Sequence, residues 1–183
     1  MSDLPPKYES LSRYLSYILR HDPGQAGIEL DEKGFASIDD VLSAVDRTRH
    51  SWASIEDIEK LISESHKTRF EIQGATIRAL YGHSVDVELE EECEPPSRLY
   101  HGTSPKKIDR IMRDGLKSMG RQYVHLSKTV DEAESVGVRH HPDPVVLLID
   151  GKRAYNDGVR FFERGDIFLS ENVPPEYISV LDR

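Results

Sequence analysis

Apolar residues recur at helical spacing along much of the first half of the chain. In the stretch YESLSRYLSYILR they form one stripe and predict an amphipathic helix; the stripe consists of Leu11, Tyr14, Leu15, Ile18 and Leu19. Two further helices are predicted after Ser37 and Ser54. Each serine is a candidate N-cap, because an acidic residue (Asp40 or Asp57) follows it three positions later.

The pattern changes from helical to alternating after the third predicted helix. Phe70 and Ile72 alternate with polar residues, Gly74 is typical of a turn, and Ile77 and Ala79 continue the alternation. This pattern predicts a β-hairpin. Helices followed by a small hairpin give the outline of a winged helix.

The second half alternates between short apolar runs and short helical patterns. Its predicted strands include LYHGTS, RQYVHLSKT and the buried run PVVLLID, with helices such as PKKIDRIMRDGL between them. This mixture predicts an α+β fold. The acidic, proline-containing segment between the halves is typical of a linker. We therefore expect a first lobe over residues 1–88, a linker over 89–97 and a second lobe over 98–183.

Composition narrows the classes of protein that fit. With 37% hydrophobic and 31% charged residues, the 183-residue chain matches a folded domain and has no apolar run long enough for a bilayer. We expect a cytoplasmic protein, because no signal-peptide pattern is evident and Cys93 is the single cysteine. The eight histidines lack metal-ligand spacing, so no metal is expected. A net charge of −9 argues against a non-specific nucleic-acid binder but permits a small basic pocket.

The stretch YILRHDPG places Arg20 and His21 at the end of the first predicted helix. One interpretation is a basic last turn that suits the helix dipole and is closed by proline and glycine. The other is a phosphate clamp, in which side-chain charge would have to outweigh the negative end of the helix dipole. Arg69, at the entry to the hairpin, has the same two interpretations, since an isolated arginine is usually solvated.

Two polar motifs in the second half offer candidate ligands. In LYHGTS, His101 and Gly102 are followed by the hydroxyls of Thr103 and Ser104; this is either a polar turn or a ligand-binding strand end. In RQYVHLS, four polar side chains alternate and are therefore expected on one face of a strand: Arg121, Tyr123, His125 and Ser127. That face is either a solvated surface or the wall of a polar cleft.

Eight segments in order resemble the RNA 2'-phosphotransferase family (KptA type): LSRYLSYILRHDP, GFASIDDVL, RFEI, IRALYGHSV, LYHGTS, RQYVHLS, PVVLLID and VPPEYI. The resemblance implies a winged-helix lobe for RNA and an ADP-ribosyltransferase-like lobe for NAD. It implies that an internal 2'-phosphate of RNA, of the tRNA splice-junction type, is ADP-ribosylated with release of nicotinamide. The RNA then leaves with a 2'-hydroxyl, and the phosphate leaves as ADP-ribose 1'',2''-cyclic phosphate.

The same resemblance implies roles for individual residues. Its catalytic set falls on Arg20, His21, Arg69 and Arg121. His101 is implied to contact a ribose hydroxyl, and the Gly102 backbone the nicotinamide carboxamide. Thr103, Ser104, His125 and Ser127 are implied to line the rest of the NAD site. We expect a monomer whose partners are RNA with an internal 2'-phosphate and NAD. No association with a membrane is expected.

The chain departs from the family pattern at two places. ALYGHS stands where ANQGHS is expected, so Leu80 and Tyr81 put the RNA contacts in doubt, and Phe168 stands where tryptophan is expected. Two rival functions remain open. One is an ADP-ribosyltransferase with another acceptor, such as a nucleic-acid end or a protein. The other is a non-catalytic winged-helix nucleic-acid binder, which the acidic predicted helices disfavour.

Overall fold

The computed structural model describes residues 4–89 and 91–181. The chain divides into two compact units between Glu88 and Leu89. Both units mix helices with antiparallel sheets, which confirms the α+β class. In the described ranges, no helix has the length and apolar character needed to cross a membrane.

The first unit consists of three helices and a small sheet. The helices are α1 (Pro6–Arg20), α2 (Ile38–Asp46) and α3 (Ile55–Glu64), and the strands are β1 (Phe35–Ser37), β2 (Phe70–Gln73) and β3 (Thr76–Ala79). A short 3-10 turn, Gly24–Ala26, follows α1. The sheet is antiparallel, in the order β1-β3-β2. The predicted stripe of α1 enters the core, where Leu11, Leu15 and Leu19 are fully buried.

Both predicted N-caps are present in the first unit. The Ser37 hydroxyl accepts a hydrogen bond from the Asp40 amide at 3.4 Å. The Ser54 amide donates to the Asp57 carboxylate at 3.0 Å, which satisfies a backbone donor at the start of α3. The hairpin prediction is also confirmed, since β2 pairs with β3 and Ile72 lies opposite Ile77.

The second unit contains a six-stranded antiparallel sheet in the order β11-β7-β4-β6-β9-β8 and a two-stranded pair, β10-β5. Its strands are β4 (Arg98–Thr103), β5 (Leu116–Lys117), β6 (Val124–Ser127), β7 (Val145–Asp150), β8 (Phe162–Arg164), β9 (Ile167–Ser170), β10 (Asn172–Val173) and β11 (Ile178–Val180). Its helices are α4 (Ile108–Asp114), α5 (Val130–Gly137) and α6 (Gly151–Asn156), with 3-10 turns at Pro105–Lys107 and Pro175–Tyr177.

The predicted strand RQYVHLSKT is shorter than the sequence pattern indicates. Strand β6 begins only at Val124, so the expectation that Arg121 and Tyr123 share a strand face with His125 and Ser127 is wrong. The ladder explains the difference, because the register of β6 with β9 begins at Val124 opposite Ser170. Arg121 therefore lies in the loop before the strand.

The proline-containing segment after Glu91 packs on the second unit. The Cys93 amide donates to the Phe161 carbonyl at 2.9 Å, and Glu92 forms an antiparallel bridge with Phe162. Pro95 is buried. Phe168, the departure in β9, is also buried in the core of this unit.

Candidate functional site

The end of helix α1 is defined by backbone hydrogen bonds. The helix stops ahead of Pro23, because the residue before a proline disfavours helical backbone. The His21 amide donates to the Tyr17 carbonyl at 3.0 Å, and the Ser84 amide donates to the Arg20 carbonyl at 2.9 Å. These donors neutralise part of the negative helix end. The dipole therefore opposes an anion at this terminus less than the sequence suggests.

The Arg20 guanidinium lies among aromatic rings and backbone. Its Cζ atom is 5.1 Å from the centre of the Tyr81 ring and 5.8 Å from that of Phe70. Gly82, at a φ of 94°, lies so close that an added Cβ would be 3.3 Å from the Cδ and Nη1 atoms of Arg20. This packing restricts the rotamers of Arg20 and so orders its guanidinium.

The loop after β3 also contacts the imidazole of His21. The Nδ1 atom of His21 lies 3.0 Å from the Ser84 hydroxyl, which in turn donates weakly to the Arg20 carbonyl at 3.4 Å. With its proton engaged there, the hydroxyl oxygen accepts from Nδ1. The sequence motif GHS contains Ser84, but its contact with the helix end depends on the fold and was not predicted.

A groove of about 710 Å³ in the first unit contains three of the predicted catalytic side chains. Among the described residues that line it, the cationic and titratable ones are Arg13, Arg20, His21, His66, Lys67 and Arg69, with Glu9 as the acidic one. The groove therefore carries an excess of positive charge on a chain whose formal net charge is −9. Its electrostatics suit an anion.

Arg69 enters the groove from the residue before β2. The Arg69 carbonyl accepts a hydrogen bond from the Leu80 amide at 2.9 Å. This bond connects Arg69 to the loop after β3, which also contacts Arg20. The side chain of Arg69 forms no ion pair with any residue of the described ranges. Arg78 differs, because its Nε atom donates to Glu71 at 2.7 Å and its guanidinium lies 4.4 Å from the centre of the Phe35 ring. The side chain of Arg78 thus stabilises the sheet, whereas that of Arg69 is available to a ligand.

His83 is a buried neutral histidine beside this cluster. It is 5% exposed, and burial lowers its pKa to about 4, helped by the positive charges of Arg20, His21 and Arg78. Its Nε2 atom is buried and has no hydrogen-bond partner among the described residues. A neutral ring adds no further positive charge next to Arg20.

In the second unit, His101 is fixed by its partner strand. Its Nδ1 atom donates to the carbonyl of His125 at 3.0 Å, since a carbonyl can only accept. Burial lowers the pKa of His101. A neutral imidazole protonated at Nδ1 leaves Nε2 as an acceptor, which suits a hydroxyl donor of a ligand.

Arg121 and His125 extend this arrangement. The Nη1 atom of Arg121 donates to Nδ1 of His125 at 3.4 Å. His101, His125 and Arg121 therefore form a connected set. The hydroxyl-bearing residues Thr103, Ser104 and Ser127 are buried.

Gly102 has a packing role that the motif did not reveal. An added Cβ would lie 1.8 Å from the Ala133 carbonyl oxygen and 2.9 Å from the Gly137 amide nitrogen. One face of Gly102 is thus filled by the backbone of α5. Any ligand contact of Gly102 must use its backbone groups.

The sheet is open next to this residue. In the ladder, β4 pairs with β7 along its whole length but with β6 only where Tyr100 faces Ser127. The β4 edge that carries His101, Gly102 and Thr103 is therefore unpaired with β6. In the described ranges, including this site, no group of three or more His, Cys, Asp or Glu residues could hold a metal ion.

The structure thus groups most of the predicted residues, unit by unit. Arg20, His21 and Arg69 line one groove of the first unit. Arg121 belongs to the second unit, with His101 and His125. Sequence reasoning gave no role to Ser84 or His83, although both stand in the quoted motif.

Comparison with known proteins places the chain in a family. The family model described as "RNA 2'-phosphotransferase, Tpt1 / KptA family" matches residues 6–171. The chain is similar to a "Probable RNA 2'-phosphotransferase" of Bacillus thuringiensis subsp. konkukian, with 40% identity over 94% of this chain and 95% of the relative. Proteins of the same description from Pyrococcus horikoshii and Acetivibrio thermocellus are 42% and 39% identical. They cover 92% and 93% of this chain, and 96% of each relative is matched. Motif order, groove and full-length similarity agree, and the chain belongs to the RNA 2'-phosphotransferase family.

Proposed function

We propose that this chain removes an internal 2'-phosphate from RNA, of the kind left at a tRNA splice junction, with NAD as co-substrate. The observation that carries the proposal is the shared groove of Arg20, His21 and Arg69. These three side chains come from a helix end and a strand entry, and the fold brings them together around a space that suits an anion.

In this proposal the first unit binds RNA and the second unit binds NAD. Three helices with the antiparallel sheet β1-β3-β2 support a winged-helix lobe that binds RNA. The antiparallel sheet of the second unit, with its open edge on β4, supports an ADP-ribosyltransferase-like lobe. The proposal therefore assigns RNA to the first unit and NAD to the second.

Arg20 and Arg69 bind the 2'-phosphate of the RNA. A guanidinium presents paired N–H donors that match phosphate oxygens, and it stays charged at any working pH. Packing against Tyr81 and Phe70 orders Arg20 before the substrate arrives. Preorganised charge of this kind stabilises the crowded phosphate in the transition state.

His21 supplies a proton to the departing RNA. Its Nδ1 atom is engaged by Ser84, so transfer to the substrate runs through Nε2. When the ribose 2''-hydroxyl of the ADP-ribose bonds to phosphorus and gives up its proton, the bond from phosphorus to the RNA O2' atom breaks. The O2' atom takes the proton from Nε2 of His21 and becomes a 2'-hydroxyl.

The residues of the second unit fit NAD. NAD, when bound, supplies an electrophilic anomeric carbon, releases nicotinamide and carries the phosphate away as ADP-ribose 1'',2''-cyclic phosphate. His101 presents its Nε2 acceptor to a ribose hydroxyl, because Nδ1 is held by the His125 carbonyl. Backbone groups of Gly102 and the hydroxyls of Thr103, Ser104 and Ser127 line the remaining site. The positive charge of Arg121 stabilises the negative charge of the 2'-phosphate.

The direct test uses an RNA oligonucleotide with one internal 2'-phosphate, incubated with NAD. We expect free nicotinamide, ADP-ribose cyclic phosphate and RNA with a 2'-hydroxyl. Replacing Arg20, Arg69 or Arg121 with alanine should lower kcat/KM about 100- to 1,000-fold, by analogy with removal of one oxyanion-hole donor. Arg49→Ala is the matched control, because Arg49 donates to Ser10 at 3.0 Å and does not line the groove.

An ADP-ribosyltransferase with another acceptor would behave differently. Such an enzyme would need the second unit but not Arg20, His21 or Arg69. We expect Arg20→Ala and Arg69→Ala to lose phosphate removal while binding NAD as the unmodified chain does. Full activity of both variants would show that the proposed role of the first unit is wrong.

A further inference from the structure

We propose that Tyr17 is a stacking platform for the nucleobase adjacent to the 2'-phosphorylated nucleotide, and that the groove of the first unit therefore takes single-stranded RNA. This inference rests on the proposed function and extends it to the substrate's neighbouring nucleotide. Tyr17 lies on the face of α1 that lines the groove, three residues before Arg20.

The ring of Tyr17 is both accessible and held in place. Tyr17 is 45% exposed, although it stands on a helix whose other face is core. Its hydroxyl donates to the Asp22 carboxylate at 3.2 Å, and this contact holds the polar end of the ring at the helix terminus. The ring face is left for a ligand.

The position of the ring relative to His21 suits a neighbouring base. The two ring centres are 6.3 Å apart, with an interplanar angle of 46°. If His21 contacts the O2' atom of the phosphorylated nucleotide, a ring one helical turn before Arg20 lies within reach of the next base.

The chemistry of the surrounding groove favours single-stranded nucleic acid over other anions. Proteins that bind single strands combine a positively charged groove with aromatic faces on which bases stack. This groove has both features. The helices that a winged helix would offer to a duplex begin with acidic turns, Asp39 and Asp40 in α2 and Glu56 and Asp57 in α3.

A purely structural role for Tyr17 makes a different prediction. If the hydrogen bond to Asp22 were its contribution, removal of the hydroxyl alone would be harmful. The damage would also be independent of the RNA base. The test therefore needs a variant that keeps the ring and a substrate that lacks the base.

The experiment measures binding of 2'-phosphorylated oligonucleotides without NAD, so that catalysis does not enter. The oligonucleotides carry 2-aminopurine, whose fluorescence is quenched by stacking, on the 5' or the 3' side of the modified nucleotide. For one of the two positions we expect Tyr17→Leu to weaken binding about 5- to 150-fold and to abolish quenching. Tyr17→Phe should stay within about twofold of the unmodified chain, since its ring still stacks.

An abasic residue at the same position provides the matched control. With it, the unmodified chain and Tyr17→Leu should bind alike. The proposal is overturned if Tyr17→Leu binds and quenches normally, or if it loses as much affinity for the abasic RNA as for the intact one. Failure of the proposed function is distinguishable, because the unmodified chain would then show no preference for 2'-phosphorylated over unphosphorylated RNA.

Discussion

The aromatic ring of Tyr81 holds the guanidinium of Arg20 in one position. Tyr81 stands where the family pattern predicts a glutamine, and its ring centre lies 5.1 Å from the Arg20 guanidinium carbon. A cation held over an aromatic face keeps its charge while losing mobility. The residue that departs from the family pattern at this position is therefore a positioning contact for the Arg20 guanidinium.

We expect Tyr81→Leu to lower kcat/KM for 2'-phosphorylated RNA by about two- to thirtyfold, the range of a cation–π contact. Tyr81→Phe keeps the ring and should stay within about twofold of the unmodified chain. Steady-state kinetics with both variants, together with NAD binding as a check on folding, make the measurement. Equal losses in the two variants would show that the ring face does not position Arg20.

The buried imidazole of His83 makes the stability of the first unit depend on pH. Its folded-state pKa of about 4 lies below the ordinary value of 6.5, so the unfolded chain binds the proton more tightly. The contribution of His83 to the free energy of unfolding is therefore fully present above pH 6.5, and it is lost as the pH falls towards 4. Between pH 7 and pH 4 the loss from this residue should be roughly 3 kcal/mol.

The measurement compares urea unfolding of the unmodified chain and His83→Gln at both pH values. Trp52 is the single tryptophan and lies in the first unit, so its fluorescence follows the unit that contains His83. The stability of His83→Gln should fall less on acidification, by roughly the amount given above. Parallel losses in the two proteins would mean that His83 is not held neutral by burial.

At the scale of elements, the contact between β4 and α5 shapes the second unit. The two elements approach at Gly102, where the helix backbone occupies the space of a side chain. This approach places the helix directly behind the strand that carries His101.

Gly102→Ala should destabilise the second unit by at least about 3 kcal/mol, the upper end for an overpacked site, because backbone atoms cannot move aside easily. Hydrogen exchange of the β4 and β7 amides measures the effect. Gly120→Ala is the matched control, since an added Cβ at Gly120 would meet nothing within 4 Å. Similar protection in the two variants would contradict the close contact.

Sequence patterns predicted the elements whose signals are local. The stripe of α1, the cap at Ser54 and the hairpin turn at Gly74 each depend on residues within a few positions, and all three are present. The start of β6 was missed, because Arg121 and Tyr123 alternate like strand residues but lack a partner strand. Contacts such as His101 with the His125 carbonyl depend on which strands pair, and no local pattern contains that information.

At the scale of the whole molecule, the charge distribution is compatible with the proposed binding of RNA by an acidic chain. The net charge is −9, yet the groove of the first unit collects four arginine and lysine side chains: Arg13, Arg20, Lys67 and Arg69. Repulsion by the remaining surface opposes loose contacts along the RNA. Binding should therefore depend on a few phosphates near the modified nucleotide rather than on a long electrostatic track.

This reasoning predicts a shallow salt dependence. Each phosphate contact with a single strand contributes about −0.7 to the slope of log affinity against log salt, so the four cations of the groove and Arg121, which is proposed to act on the 2'-phosphate, allow a slope no steeper than roughly −3.5. Arg13→Gln should flatten the slope by about 0.7, because one cation leaves the groove. Arg49→Gln, which changes the net charge equally but lies outside the groove, should leave the slope unchanged. Titrations of a 2'-phosphorylated oligonucleotide at several salt concentrations decide the matter. A much steeper slope, or equal effects of the two variants, would mean that RNA contacts extend beyond the groove and that the local grip on the phosphate is wrong.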